Sequence, residues 1–334
     1  MARADRDLFL PVAAQPALED VVSLADRAER AGYDRVWLPE TWGRDAVTVL
    51  ATIARATDRV GIGTSVTNVY SRSPVLIGQT AATLQEVSGG RLRLGVGPSG
   101  PILVEGWHGV DYGNPLRRTR EAIEVVRQTL AGETVEYDGE YFQLSGFRLR
   151  HGPPDPPPID AAGIGPTAVE LAGRFGNGWH ALVLTREGLV DRLEDFRRGA
   201  QLGDRDPGDG RVTVMLTCCA LDDRERARYL ARELIAFYVG AMGTFYRDAL
   251  ARQGYEATAT AVATHWANGE REAAIDAIGD DLLDALAVAG HPGECRDRIA
   301  RFADIDGVDA VSVGFPRVAE REEMVQTLDA LAPE

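Results

Sequence analysis

Short apolar segments alternate with longer amphipathic ones along almost the whole chain, a rhythm that folds of parallel strands and covering helices produce. Leu8 to Val12 reads as a first strand. It is followed by a helix from Glu19 to Ala31, in which Val22, Leu24, Ala25 and Ala28 recur at near-helical spacing before Gly32 stops it. Strand Arg35 to Leu38, helix Arg44 to Ala56, strand Val60 to Val66, helix Pro74 to Val87 and strand Leu92 to Val96 continue the pattern. Pro74 suits a first helical turn. Four such units precede residue 131, and repeated strand-then-helix units imply parallel strands with right-handed crossovers.

The rhythm breaks at 134–149, where two alternating segments flank Asp138-Gly139 and predict a β-hairpin outside the main sheet. After the proline-rich stretch Pro153 to Pro158 it resumes: strand Ile159 to Ala162, helix Pro166 to Phe175, strand Trp179 to Leu184, helix Glu187 to Ala200, strand Val212 to Ala220. The stretch 222–289 carries no strand signal and reads as a helical insertion. Helix Pro292 to Ala303, strand Ala310 to Val313 and a final helix complete the chain. Eight strands with a late insertion favour a closed (β/α)8 TIM barrel, an α/β fold occupying 1–334 as one domain, over an open doubly wound sheet.

Composition narrows the function classes. No apolar run is long enough to span a membrane and the first residues lack a signal-peptide core, so a cytoplasmic protein is expected. Cys218, Cys219 and Cys295 fit neither a metal spacing nor a disulfide framework, no histidine pairs at a ligand spacing, and no metal is expected. A net charge of −15, from 51 acidic against 36 basic residues, argues against nucleic acid as a partner. All 36 basic residues are arginine. An acidic surface without lysine predicts a halophilic, archaeal source.

In a barrel of this kind chemistry gathers at the C-terminal strand ends. Those ends include Pro39-Glu40-Thr41-Trp42, Gly63-Thr64-Ser65-Val66-Thr67-Asn68, Gly95-Val96-Gly97-Pro98-Ser99-Gly100, Asp160-Ala161-Ala162-Gly163 and Trp179-His180-Ala181-Leu182. Gly97-Pro98-Ser99 would let backbone approach a planar ring, whereas the spacing and context of a Rossmann fingerprint are absent. Ala161-Ala162-Gly163-Ile164-Gly165 before a helix offers backbone N–H groups to an anion. For proton handling the candidates are Glu40, Glu105, His108, Asp111 and His180, with Glu105-Gly106-Trp107-His108 expected in a loop.

Four segments in order, Ala31 to Glu40, Gly61 to Val66, Leu94 to Gly97 and Ala161 to Gly163 with Gly176 to Trp179, resemble the luciferase-like flavin and deazaflavin enzymes. The resemblance covers nearly the whole chain and points to the branch that uses coenzyme F420. It implies a non-prolyl cis peptide at Ser65-Val66 beneath the cofactor ring, with Asn68 beside it and polar ring contacts from Glu40 and Thr41. The coenzyme phosphodiester would lie on Ala161, Ala162 and Gly163, with Gly178, His180, Ala181 and Leu182 alongside and Arg186 as its cation. Thr67 to Pro74 and Met242 to Asp248 are similar to the methylenetetrahydromethanopterin reductases in particular. The glutamate which those reductases carry after the first strand has no counterpart, since Pro11 stands there with Gln15 nearby.

The expected activity is hydride transfer between F420 and a small organic substrate, a pterin or folate being one candidate, in a homo-oligomer, dimer or tetramer. An FMN-dependent monooxygenase and a non-catalytic cofactor-binding protein are the alternatives. From the composition, the melting temperature should rise between dilute buffer and molar KCl; an unchanged value would contradict salt adaptation.

Overall fold

The computed structural model describes residues 3–333 apart from Val12, Ala14 and Pro16. Eight parallel strands close a barrel: β1 Asp5–Phe9, β2 Arg35–Leu38, β3 Gly61–Thr64, β4 Leu92–Gly97, β5 Ile159–Ala162, β6 Gly178–Leu182, β7 Arg211–Ala220 and β8 Ala310–Gly314. Closure comes from β8, which pairs with β7 (Thr213 with Ala310) and with β1 (Asp5 with Ala310). Helices Leu18–Arg30, Ala46–Ala56, Pro74–Val87, Pro115–Leu130, Pro166–Phe175, Arg186–Leu202, Pro292–Ala303 and Arg321–Ala330 cover the outside. No helix among the described residues is long and apolar enough to cross a membrane.

Three expectations need correction. The first strand begins at Asp5 rather than Leu8, and its expected last residue, Val12, lies outside the described residues. A search for apolar runs misses Asp5 and Asp7, yet Asp7 points into the barrel, accepts the Trp37 indole N–H at 2.8 Å and pairs with Arg211. The loop expected after β4 contains a helix, Pro101–Trp107, with proline in its first turn. The stretch 222–289 is not wholly helical: Ala287–Gly290 forms a further parallel strand on Thr217 to Ala220, where β7 runs on past its pairing with β8. The hairpin lies where expected, with strands Thr134–Asp138 and Gln143–Arg148.

Glycines in β3 and β4 make room for large polar residues inside the barrel. A Cβ at Gly61 would meet the Arg35 guanidinium at 2.6 Å, one at Gly63 the Trp37 ring at 2.3 Å, and one at Gly95 the His180 ring at 2.8 Å. Arg93 and Asp160, on neighbouring strands, pair through two hydrogen bonds of 2.6 and 2.8 Å. Burial pushes the Asp160 carboxyl up, but the His180 hydrogen bond and the Arg93 charge outweigh it and hold the group at about 2. A depressed carboxyl stabilises the fold above its unfolded value and loses that contribution as pH falls toward the folded value. The protein should therefore lose on the order of 2 kcal/mol from this group between roughly pH 4 and pH 2. In acid titrations followed by circular dichroism, Asp160→Asn should flatten that part of the curve; a variant as acid-labile as the wild type would contradict the assignment.

Candidate active site

Strand register decides which predicted residues reach the mouth. In β6, Trp179 stacks on Phe196 of a covering helix at 6.1 Å, so Ala181 also faces outward while His180 and Leu182 face the interior. Gly178 pairs with Arg211 and Asp160 where β6 begins, at the end of the barrel opposite the mouth. His180 is 1% exposed and lies beneath the mouth. Gly178, His180 and Ala181 are therefore not surfaces for a ligand. In β5, Asp160 points inward to Arg93, so Ala161 faces outward and Ala162 inward.

The residues that do meet are Ser65, Val66, Gly97 and Ala162. The Ser65-Val66 peptide is cis. A Cβ on Gly97 would meet Val66 Cγ2 at 2.7 Å and Ala162 Cβ at 3.4 Å, so Gly97 makes room for Val66 and is not itself open to a ring. Val66 and Ala162 are half-buried and Leu182 stands on the adjacent strand end, giving the mouth an apolar floor. Ser65 anchors it from below, its Oγ 2.9 Å from His180 Nδ1, while His180 Nε2 stands 3.2 Å from Asp160 Oδ2.

Glu40 is a loop clamp. Its Oε2 accepts the Asn68 N–H at 2.8 Å and lies 3.1 Å from Ser71 Oγ, and its Oε1 pairs with Arg72. Arg72 reaches Asp45 as well, at 2.9 Å. Thr41 is half-buried beside it. Asn68 is buried and pairs with Gly97, its side-chain oxygen accepting the Tyr70 N–H at 2.9 Å. Tyr70 stacks on Tyr112 at 5.5 Å, and the Tyr112 hydroxyl donates to the Ser99 carbonyl at 3.1 Å, which ties the β3 and β4 loops together beyond Pro98.

Glu105 and His108 do not join this cluster. Both are exposed, on or just after the helix Pro101–Trp107, and the Glu105 carboxylate accepts a long bond from the Tyr112 N–H at 3.4 Å. Gln15, near Pro11, donates to Met324 Sδ at 3.2 Å and so faces the closing helix. Among the described residues no three His, Cys, Asp or Glu side chains gather as a metal site.

The turn expected to receive an anion stands beside a different cation from the expected one. Gly163 packs a position where a Cβ would meet Ala168 at 2.8 Å, and its carbonyl accepts the Trp179 indole N–H at 2.8 Å. Gly165 caps the helix Pro166–Phe175 with no side-chain hydrogen bond, so its N-cap satisfies none of the first N–H groups of that helix. Arg186 lies in the outer helical layer beside Val190 and Ile305. Arg252 instead comes over the turn, its guanidinium 3.9 Å from where a Gly165 Cβ would stand.

Arg252 arrives on the insertion, which arches across the mouth. Phe237 packs on Trp42 at 5.8 Å, the Met242 carbonyl lies 4.0 Å from a Cβ on Gly100, and Phe245 leans on Tyr112 at 6.2 Å. Gln253 then accepts the Thr185 N–H at 2.8 Å and donates to the Val183 carbonyl at 3.0 Å. Trp42 and Trp107 meet edge to face at 5.9 Å and are 47% and 53% exposed, forming an aromatic wall open to a ligand. Sequence reasoning placed pocket walls at 102–113 and 241–266 but did not single out Arg252, although Arg252-Gln253-Gly254 interrupts a long helical pattern.

An apolar floor, a glycine-rich turn at a helix N-terminus and an aromatic wall surround one mouth, an arrangement that suits a (β/α)8-barrel enzyme with a ring-bearing cofactor. The chain belongs to the luciferase-like monooxygenase family, whose model matches residues 7–309. It is 33% identical over 339 residues, 95% of each chain, to a Mycobacterium tuberculosis protein provisionally named a coenzyme F420-dependent oxidoreductase. It is 30% identical over 327 residues, 96% of each chain, to the 5,10-methylenetetrahydromethanopterin reductase of Archaeoglobus fulgidus. Among solved structures, the coenzyme F420-dependent tetrahydromethanopterin reductase of Methanopyrus kandleri shares the fold with a TM-score of 0.85, at 23% identity over 99% of this chain and 98% of that one.

Glu40→Ala should lower stability by about 1–3 kcal/mol, because the Asn68 N–H and Arg72 lose their acceptor. Glu105→Ala and His108→Ala should each change it by less than about 0.5 kcal/mol. Urea midpoints check both; a Glu40→Ala variant as stable as the wild type would contradict the clamp.

Proposed function

We propose that this chain is a coenzyme F420-dependent oxidoreductase that transfers a hydride between the deazaflavin and a small organic substrate, with a methylenetetrahydropterin or methylenetetrahydrofolate reductase as the specific candidate. The observation that carries the reading is the union, in one mouth, of an apolar floor with a helix N-terminus that no side chain caps, under an arginine. That pairing suits a cofactor with a flat ring and an anionic tail. The full-length likeness to F420-dependent oxidoreductases and to the reductases supports it.

The residues present fit the cofactor. Val66 and Ala162 would carry the ring, and the N–H groups of Thr167 and Ala168 with Arg252 would hold the phosphodiester. The deazaflavin, when bound, would supply the hydride in its reduced form or accept it in its oxidised form. The chain orients: Glu40 and Arg72 fix the loop beside the floor, and Trp42 and Trp107 offer a face against which a flat or apolar substrate packs. The reaction belongs in the cytoplasm, which the three buried unpaired cysteines support.

Gly163 is a poor position for testing the tail site, since any side chain there collides with Ala168 whether or not a ligand binds. Gly165 is the better one. Its φ of −85° and open surroundings accept aspartate, which caps helices well but repels an anion. Gly165→Asp should keep or raise the melting temperature while weakening F420 binding at least about ten-fold, and Arg252→Ala should weaken it about five-fold. Fluorescence titration reads both. Tight binding of reduced FMN with oxygen consumption, and none of F420, would overturn the proposal in favour of a monooxygenase.

A further inference from the structure

Ser65 and His180 meet inside the barrel although 115 residues separate them, and neither the loop clamp nor the anion turn accounts for a buried imidazole there. We infer that His180 is a positioning residue that holds the Ser65 hydroxyl as a hydrogen-bond acceptor toward the cofactor ring. This rests on the F420 reading above.

The order of protons follows from the floor upward. Two hydrogen bonds from Arg93 keep Asp160 ionised, and an ionised carboxylate only accepts. His180 Nε2, 3.2 Å from Asp160 Oδ2, must then carry the ring proton. In the arrangement we infer, the ring carries this one proton and is bare at Nδ1, and Ser65 donates its hydroxyl proton to Nδ1 across 2.9 Å. The serine oxygen keeps its lone pairs for an N–H donor above. Two contacts stop the imidazole from turning over. Trp37 stands edge to face against it at 4.5 Å, itself fixed by its bond to Asp7, and the space over Gly95 is filled by His180 Cε1. Burial at 1% exposure keeps His180 from touching a ligand directly, so it acts through Ser65.

Two measurements test this. In the ligand-free protein, 15N NMR of the histidine rings should find one buried ring protonated at Nε2 and bare at Nδ1, with Ser65→Ala moving the Nδ1 resonance. F420 titrations should show His180→Leu and Ser65→Ala each weakening binding about ten-fold. His180→Asn, which can still present an acceptor to Ser65, should recover most of the loss. The Ser65→Ala/His180→Leu double variant should bind no more weakly than Ser65→Ala alone, because both changes remove one interaction. Ser65→Ala reads the proposal by itself if the leucine variant fails to fold. A His180 ring protonated on both nitrogens, wild-type affinity in the folded leucine variant, or losses that add in the double variant would overturn the role of His180. A wild-type protein that binds no F420 would overturn the F420 reading and this role with it.

Discussion

The ion pair between Arg93 and Asp160 is the footing of the site. Both lie inside the barrel on adjacent strands, and a carboxylate with no exposed surface is tolerable only because its charge is met at 2.6 and 2.8 Å. His180 takes its orientation from Asp160, and Ser65 takes its own from His180. The glycines of the neighbouring strands are the complement of this column. Gly61, Gly63, Gly95 and Gly178 stand where Arg35, Trp37, His180 and Asp160 need volume. Charge at the base and emptiness in the facing strands together set the level and tilt of the floor on which a cofactor ring would rest.

The arch over the mouth has a separate origin. After β7 the chain departs from the strand-helix rhythm and sends helices across the mouth, touching the loops after β2, β4 and β6 in turn through Phe237, Phe245 and Gln253. Arg252 is delivered over the β5 turn by the same arch. Floor and arch thus sit on different parts of the chain. Substrate choice can change through the insertion while the buried column under Ser65 stays as it is, a division common in barrels whose variable loops ring a rigid core.

Much of this was legible in the sequence where local signals are strong. Strand Arg35–Leu38 and helices Pro74–Val87 and Pro166–Phe175 begin and end as expected, because proline opens both helices and short polar or glycine-bearing turns bound each element. The failures have physical causes. β1 carries inward-facing aspartates that break an apolar pattern. The strand Ala287–Gly290 is built from small residues after a run of helix formers, and only its pairing to an overlong β7 makes it a strand. At the site, Ser65, Val66 and the turn at Ala162 to Gly165 were identifiable from their strand-end positions. Depth and side-chain parity were not, so His180 and Ala181 looked like ligand contacts and Gly97 looked open. Arg252 comes from far along the chain, and no local pattern announces which turn it covers.

The most direct test of the account is a crystal structure with F420 bound. It should place the ring against Val66 and Ala162, with Ser65 beneath it and the phosphodiester between the N-terminus of the helix Pro166–Phe175 and Arg252. A ring stacked elsewhere, or a phosphodiester bound by Arg186 with the Gly165 turn empty, would contradict it.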